Sequence, residues 1–220
     1  DINIPKGVRL AISGPNGAGK TTLIKSILNL IKPAAGSILI NGQSYKDQKK
    51  SIAYVPQRNS VDWDFPANVL DVVLMGRYGH LGWFKRPGKM DKELAFHALE
   101  RLGMQDYLDQ QINELSGGQQ QRVFLARALV QEAEIYLLDE PFVGIDALTE
   151  KVIVDLFQEL KKEKKTLIVV HHNLETIREY YDWLLLLNVR KVAYGPVENI
   201  LTDENLKITY SGKTGQLITE

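Results

Sequence analysis

The sequence predicts an α/β fold with a mainly parallel sheet and an inserted helical lobe. Two observations support this prediction. In the first and last parts of the chain, short apolar runs of strand length alternate with segments of helical periodicity, as they do around parallel sheets. Between these parts, aromatic and turn-forming residues interrupt the alternation. We therefore expect a core at residues 1–57 and 118–204, a lobe at residues 58–117, and a C-terminal tail at residues 205–220.

Elements of the first third follow one another in a simple order. The larger apolar residues Val8, Leu10 and Ile12 recur at every second position, which predicts a strand that leads directly into a glycine-rich loop. Residues 20–30 then have the apolar spacing of a helix. Two further strands are predicted at residues 37–40 and 52–55, and the first of them precedes a tight Asn-Gly turn at residues 41–42.

The rest of the chain adds helices in the lobe and further α/β units after it. In the lobe, residues 68–75 read as a helix, and Asp91 is expected to cap a second helix that ends at Gly103. The later helices are predicted at residues 116–131, 147–163 and 197–201, and the later strands at residues 135–138, 166–170, 183–187 and 192–194.

Bulk composition limits the classes of function. Basic and acidic residues number 27 each, so net charge gives no reason to expect binding to nucleic acid. There is no cysteine, which excludes disulfides and thiolate metal sites. The longest apolar run, residues 183–187, is far shorter than the roughly 20 residues of a membrane span. If this protein works at a membrane, another chain would therefore supply the membrane-spanning part.

The glycine-rich loop carries the first chemical signal. Its sequence GPNGAGKTT fits the P-loop pattern, and it lies between a predicted strand and a predicted helix, as phosphate binding requires. Lys20 would contact the β- and γ-phosphates, Thr21 would bind Mg²⁺, and Thr22 would contact the α-phosphate. The alternative is a glycine-rich turn with an exposed lysine. The loop residues expected to bind ATP are Gly14, Pro15, Asn16, Gly17, Ala18, Gly19, Lys20, Thr21 and Thr22.

Two acids follow a predicted buried strand at residues 135–138. Ligands of parallel sheets bind at the carboxyl ends of the strands. Asp139 is therefore expected to hold Mg²⁺, and Glu140 is suited to act as general base toward the attacking water. The alternative is a strand that leaves the core through two solvated acids.

A second anion-binding element is predicted at the start of another helix. Ser116, Gly117 and Gly118 would present a hydroxyl and free backbone N–H groups there. An ordinary serine N-cap followed by flexible glycines is the alternative.

Residues 115–122, with the sequence LSGGQQQR, resemble the signature motif of ABC ATPases. The order of motifs is also similar: Walker A at the P-loop, then Gln57, the signature, Walker B with its adjacent Glu140, and a histidine. The resemblance covers essentially the whole chain. It implies one ABC ATPase domain at residues 1–220, with a RecA-like P-loop NTPase core, and it implies ATP and Mg²⁺ as cofactors.

The resemblance also implies roles for single residues. Gln57 resembles the glutamine that senses Mg²⁺ and γ-phosphate, and Asp146 resembles the D-loop aspartate at a dimer interface. His172 aligns with the histidine that steadies the γ-phosphate, since His171 takes the position of a threonine. A metal site formed by both histidines is the alternative, although adjacent side chains at a strand end point in opposite directions.

These expectations give three sets of site residues. The catalytic set is Lys20, Gln57, Glu140 and His172. The Mg²⁺ set is Thr21, Gln57 and Asp139. The signature set, which would contact the ATP held by a second copy, is Ser116, Gly117, Gly118 and Gln119.

One element of the resemblance is missing. ABC ATPases have an aromatic residue upstream of Walker A that stacks on adenine, and no aromatic residue precedes Gly14 here. We expect the chain to be N-terminally incomplete, so that nucleotide affinity increases in a longer chain that restores this segment.

The lobe resembles a narrower group, the ATPase subunits of bacterial manganese/zinc-type importers. Residues 60–66, 72–79 and 81–84 carry this likeness, together with the His-His pair and residues 142–146. Aromatic residues of the lobe would receive a short helix of a membrane partner, or else form a small satellite core. These residues are Trp63, Phe65, Tyr78, Trp83 and Phe84.

The narrower resemblance implies an ATP-hydrolysing subunit that drives uptake of manganese, or next of zinc. Its partners would be a second copy in an ATP-sandwich dimer, integral membrane permease subunits and, indirectly, an extracytoplasmic metal-binding protein. It would lie at the cytoplasmic face of a bacterial membrane and bind no nucleic acid. A non-transport ABC ATPase acting as a clamp or regulator is the alternative; a DNA-repair type would need a long coiled coil between its motifs, which is absent here.

Overall fold

A six-stranded, mainly parallel sheet forms the centre of the computed structural model, which describes residues 1–81 and 85–211. The strand order is β2-β3-β4-β1-β5-β6, and every adjacent pair is parallel except β5 and β6. The strands are β1 (Arg9–Ser13), β2 (Ile52–Val55), β3 (Ile135–Asp139), β4 (Thr166–Val170), β5 (Trp183–Asn188) and β6 (Arg190–Pro196).

Helices connect these strands and build the lobe. They are α1 (Lys20–Ile27), α2 (Tyr45–Gln48), α3 (Val69–Leu74), α4 (Tyr78–Leu81), α5 (Lys89–Glu100), α6 (Gly117–Leu129), α7 (Ala147–Lys162), α8 (Ile177–Tyr180), α9 (Val197–Ile200) and α10 (Asp203–Tyr210). Most bounds agree within a few residues with those that the apolar spacing predicts.

Both faces of the central strands are covered, since β1 and β4 are buried along their whole length. In β1, Leu10 and Ile12 pack with α1 in one cluster, while Ala11 between them joins a second cluster with α6 and α7. This alternation follows from the two-residue period of a strand. Because β1, β3 and β4 run parallel, their carboxyl ends meet at one edge of the sheet. The candidate site lies at this edge.

The lobe packs α3 and α5 against α6, and α6 also packs against β2 and α7. Gly76 lies so close to α6 that a Cβ atom there would be 2.3 Å from the Arg127 carbonyl oxygen. The buried guanidinium of Arg77 donates to Asp91 and to the Val130 carbonyl oxygen at the end of α6. One helix thus joins the lobe to the sheet.

Two local predictions differ from the structure. Residues 37–39 form no strand; Ile40 instead bridges Gln43 across the predicted turn. Asp91 is not the cap of α5, because the helix begins two residues earlier, and its carboxylate instead accepts from the backbone N–H of Gly88 at 2.9 Å. For the tail no element is predicted, and α10 (Asp203–Tyr210) occupies its beginning.

Placement of the aromatic lobe residues separates them into groups. Trp63 and Phe65 are half-buried and pack against the core, and the Trp63 ring lies 4.7 Å from that of Phe124. Tyr78 is exposed. Trp83 and Phe84 lie outside the described residues. Trp63 and Phe65 therefore pack on the main core, rather than forming an exposed docking surface or a separate satellite core.

Candidate active site

The P-loop connects β1 to α1 with glycines where the backbone requires them. Gly17 and Gly19 have φ values of 80° and 95°, which side-chain-bearing residues rarely adopt. The buried Lys20 ammonium donates to the carbonyl oxygens of Gly14 and Pro15, both at 2.9 Å. Burial lowers the pKa of Lys20, and the charges of Glu140 and Asp139 act against that shift. The lysine head is thus held inside the loop that would bind phosphate.

The turn between β5 and β6 supports the P-loop from behind, which the sequence analysis missed. A Cβ atom on Gly14 would lie 1.9 Å from the Leu187 carbonyl oxygen, so only glycine fits there. The Val189 N–H donates to the Ala18 carbonyl oxygen at 3.1 Å. The turn is about 170 residues away in sequence, and no motif signals the contact.

Asp139 and Thr21 form the pair expected at a magnesium site. The Thr21 hydroxyl lies 3.5 Å from an Asp139 carboxylate oxygen at the end of β3. Burial raises the pKa of Asp139, and the Thr21 hydroxyl opposes that shift. A buried carboxylate beside a hydroxyl offers the oxygen ligands that Mg²⁺ prefers, so these residues fit the ion.

Glu140 connects the predicted catalytic residues. Its Oε2 accepts from the Gln57 amide at 2.7 Å, and its Oε1 lies 2.5 Å from Nε2 of His172. The residue itself has φ 53°, a left-handed conformation that is uncommon outside glycine. The structure therefore brings Gln57, Glu140 and His172 together at one carboxylate, a shared contact that the single motifs do not predict.

The two adjacent histidines face different surroundings. His171 is buried, contacts the Thr176 hydroxyl at 2.7 Å and packs edge-on against Phe142. His172 points to Glu140 instead. Among the described residues, no three His, Cys, Asp or Glu side chains are grouped as a metal site would need. The arrangement argues against a metal ion shared by the histidine pair.

Burial of neutral His171 makes stability depend on pH. Burial, and then the charge of His172, lower the pKa of His171 to about 4, from about 6.5 in the unfolded chain. The unfolded state then binds the extra proton between these values, so the free energy of unfolding falls as pH decreases from about 6.5 toward 4.

We expect His171→Gln to remove about 2 kcal/mol of the stability difference between about pH 7.5 and about pH 5. Glutamine retains a hydrogen-bonding group for Thr176 but has no titratable ring. Urea unfolding of wild type and variant at both pH values measures this, and the contributions of groups other than residue 171 largely cancel between the two proteins. Equal pH dependence in both proteins would contradict the prediction.

The Ser116 turn forms a complete capping box. The Ser116 hydroxyl accepts from the Gln119 N–H at 3.3 Å, and the Gln119 side chain accepts from the Ser116 N–H at 2.8 Å. Ser116 itself is exposed. The predicted N-cap geometry is therefore present, with the serine at the surface, while Gly117 and Gly118 pack against other parts of the chain.

Gly118 packs directly on the start of α7. A Cβ atom on it would lie 2.6 Å from the Thr149 hydroxyl oxygen. Asp146 caps α7 by accepting from both the backbone N–H and the hydroxyl of Thr149 at 2.9 Å, and these bonds lower the pKa of Asp146. The signature turn and Asp146 thus lie side by side within one chain.

Fold and site together define the class of protein. A parallel sheet ends in a P-loop, a buried aspartate followed by a half-buried glutamate, and a histidine. The Ser-Gly-Gly turn begins a separate helix, so the chain is an ATPase of the P-loop NTPase class. The profile of the ABC transporter family matches residues 1–143. The chain therefore belongs to the ABC transporter family, whose members of this type are ATP-binding ATPase subunits.

Two relatives indicate a narrower group within this family. The manganese transport system ATP-binding protein MntB of Bacillus subtilis is 59% identical over 212 residues, which are 96% of this chain and 85% of MntB. The zinc transport system ATP-binding protein TroB of Treponema pallidum is 56% identical over 213 residues, 97% of this chain and 80% of TroB. These likenesses confirm the predicted resemblance.

The fold class is also confirmed by solved structures. An ABC transporter described as metal-chelate type, in an inward-facing conformation, matches with a TM-score of 0.85 and 33% identity, covering 94% of this chain and 80% of that one. No helix within residues 1–81 and 85–211 has the length and apolarity needed to cross a membrane.

Proposed function

We propose that this chain hydrolyses ATP to drive uptake of a divalent metal ion, manganese first and zinc next, through a separate membrane permease. The observation that carries the proposal is the Glu140 carboxylate, held between Gln57 and His172 beside the P-loop. Such a carboxylate can accept a proton from an attacking water. The cargo follows from the manganese and zinc systems of the named relatives.

Within one chain, each residue has a distinct task. Lys20 would exchange its two carbonyl partners for β- and γ-phosphate oxygens. Thr21, Asp139 and Gln57 would hold Mg²⁺, and the bound ion would supply positive charge to the phosphates. Glu140 would accept a proton from the attacking water. His172 would position the Glu140 carboxylate and contact the γ-phosphate.

A second copy would complete the nucleotide site. The exposed Ser116 and the neighbouring Gly117, Gly118 and Gln119 would contact the γ-phosphate bound by the other copy. Val143 and Leu148, on either side of Asp146, are 45% and 73% exposed, which is consistent with burial in a dimer. A closed dimer would then be favoured only while γ-phosphate is present.

A groove between core and lobe suits the permease. It has a volume of about 560 Å³ and is lined by Tyr45, Lys49, Lys50, Tyr78, His80 and Gln131, among others. Aromatic rings and two lysines favour a short segment with an apolar face and an acidic end. The chain would then work at the cytoplasmic face of the membrane, and an extracytoplasmic protein would deliver the metal to the permease.

Cellular uptake of manganese and zinc tests the proposal, comparing the full-length wild type with Glu140→Gln. Loss of manganese uptake alone supports the manganese assignment, and loss of zinc uptake alone moves the cargo to zinc. Glu150→Gln is the matched control, since Glu150 accepts from Tyr180 and lies outside the cluster. Unchanged uptake of both metals would contradict the importer and favour the ATP-dependent clamp.

A further inference from the structure

Arg58 joins two parts of the chain that the proposed function assigns to different nucleotides. It follows Gln57 directly in the loop after β2, and its side chain reaches the first turn of α6. There its Nε donates at 3.1 Å to the side chain of Gln120, which is buried and donates in turn to the Ile112 carbonyl oxygen. The guanidinium is thus anchored to a fixed acceptor.

The guanidinium lies flat against Gly117. A Cβ atom on Gly117 would be 2.8 Å from Cζ of Arg58 and 3.0 to 3.1 Å from two of its nitrogens. A methyl group at this position would displace the guanidinium, which is the far end of a flexible side chain, because real Cβ atoms do not approach other atoms so closely. The absence of a side chain at Gly117 therefore allows the guanidinium to lie directly against the signature turn.

Trp63 forms a second contact between the loop after β2 and α6. The Trp63 indole donates to the Arg58 carbonyl oxygen at 2.9 Å, and its ring packs on Phe124 of α6. On the other side, Gln57 donates to Glu140. Two consecutive residues thus contact the hydrolysis cluster and the signature turn.

We propose that Arg58 is a positioning residue that couples the two nucleotide sites of the dimer. In the proposed function, Gln57 acts at the ATP bound by Lys20 of its own chain. Ser116 and Gly118 instead contact the ATP bound by the other copy. A shift of Gln57 moves Arg58, and Arg58 moves the turn that contacts the second nucleotide. This inference rests on the proposed ATP-sandwich dimer.

The test measures ATP hydrolysis against ATP concentration in the full-length protein assembled with its permease. Wild type should be cooperative, with a Hill coefficient above one. In Arg58→Gln we expect the coefficient to fall toward one and half-saturating ATP to rise about five- to tenfold, with turnover at saturating ATP within about threefold of wild type. Arg58→Lys should recover little, because an ammonium cannot lie flat on Gly117.

Arg101→Gln is the matched control, since Arg101 also joins the lobe to the core through its bonds to Glu159 and Glu163. It removes the same charge and should leave the Hill coefficient unchanged. If Arg58→Gln keeps the wild-type coefficient, or if wild type hydrolyses ATP without cooperativity, the inference is overturned. If wild type does not hydrolyse ATP at all, the proposed function itself fails.

A double-mutant cycle tests the contact without nucleotide. Gly117→Ala should lower the unfolding midpoint in the wild-type background and much less in the Arg58→Ala background, because the shortened side chain leaves room for a methyl group. Additive effects would show that the guanidinium does not set the conformation of the signature turn, and they would remove the basis of the inference.

Discussion

Replacement of Glu140 by Gln is expected to lower the turnover number for ATP hydrolysis by about 10²- to 10³-fold. Glutamine has nearly the same shape but cannot accept a proton from water. Its amide can still serve both neighbours: the oxygen accepts from Gln57, and the NH₂ group donates to the alternative tautomer of His172. The fold and ATP binding should therefore survive, and the loss should fall on hydrolysis alone.

Phosphate release measures the loss, and equilibrium ATP binding on the same preparations separates binding from turnover. Glu150→Gln, which removes an acid bonded to Tyr180, should keep wild-type turnover. Because the slow variant retains ATP, it should also accumulate as a dimer with ATP and Mg²⁺. A turnover number above about a tenth of wild type would mean that another group takes the proton.

The strands and the P-loop could be predicted because their signals are local. The apolar run at residues 135–138 and the glycines around Lys20 carry their structure within a few residues. The carboxyl-end rule for parallel sheets then predicts that Asp139 lies near the P-loop residue Thr21. The part of the site that depends on chain direction could therefore be predicted from the sequence.

The part of the site that depends on long-range side-chain contacts could not be predicted from the sequence. Nothing near Glu140 in sequence indicates that Gln57 and His172, 83 and 32 residues away, share its carboxylate. The supporting turn at Val189 and the packing of Arg58 on Gly117 have the same character. Each depends on where another element packs, which pattern and propensity do not encode.

Local patterns also misled in two places. Residues 37–40 have strand composition, but only Ile40 is buried, and no described strand pairs with the segment. Conversely, α10 carries weak apolar periodicity, yet it is held by its contacts with β5 and β6 and by a hydrogen bond of 3.0 Å between Tyr210 and Ser13. In both cases tertiary contacts decide the structure.

Replacement of Lys20 by Met is expected to weaken ATP binding by about 10²- to 10⁴-fold, the loss of two charge-assisted hydrogen bonds to phosphate. Methionine keeps the apolar stem that is buried in the P-loop, so the fold should persist. The carbonyl oxygens of Gly14 and Pro15, which now accept from the ammonium, would turn to solvent. Titration with a fluorescent ATP analogue measures the affinity, and thermal unfolding checks the fold.

Two further variants make the test specific. Lys25→Met removes an exposed lysine from the last turn of the same helix, so it should bind ATP as wild type does. Lys20→Arg retains the charge but must fit a larger planar head between two carbonyls 2.9 Å from the ammonium, so it should bind ATP nearly as weakly as Lys20→Met. If Lys20→Arg binds ATP normally, charge alone is what the site needs, and the close fit around the ammonium does not select lysine.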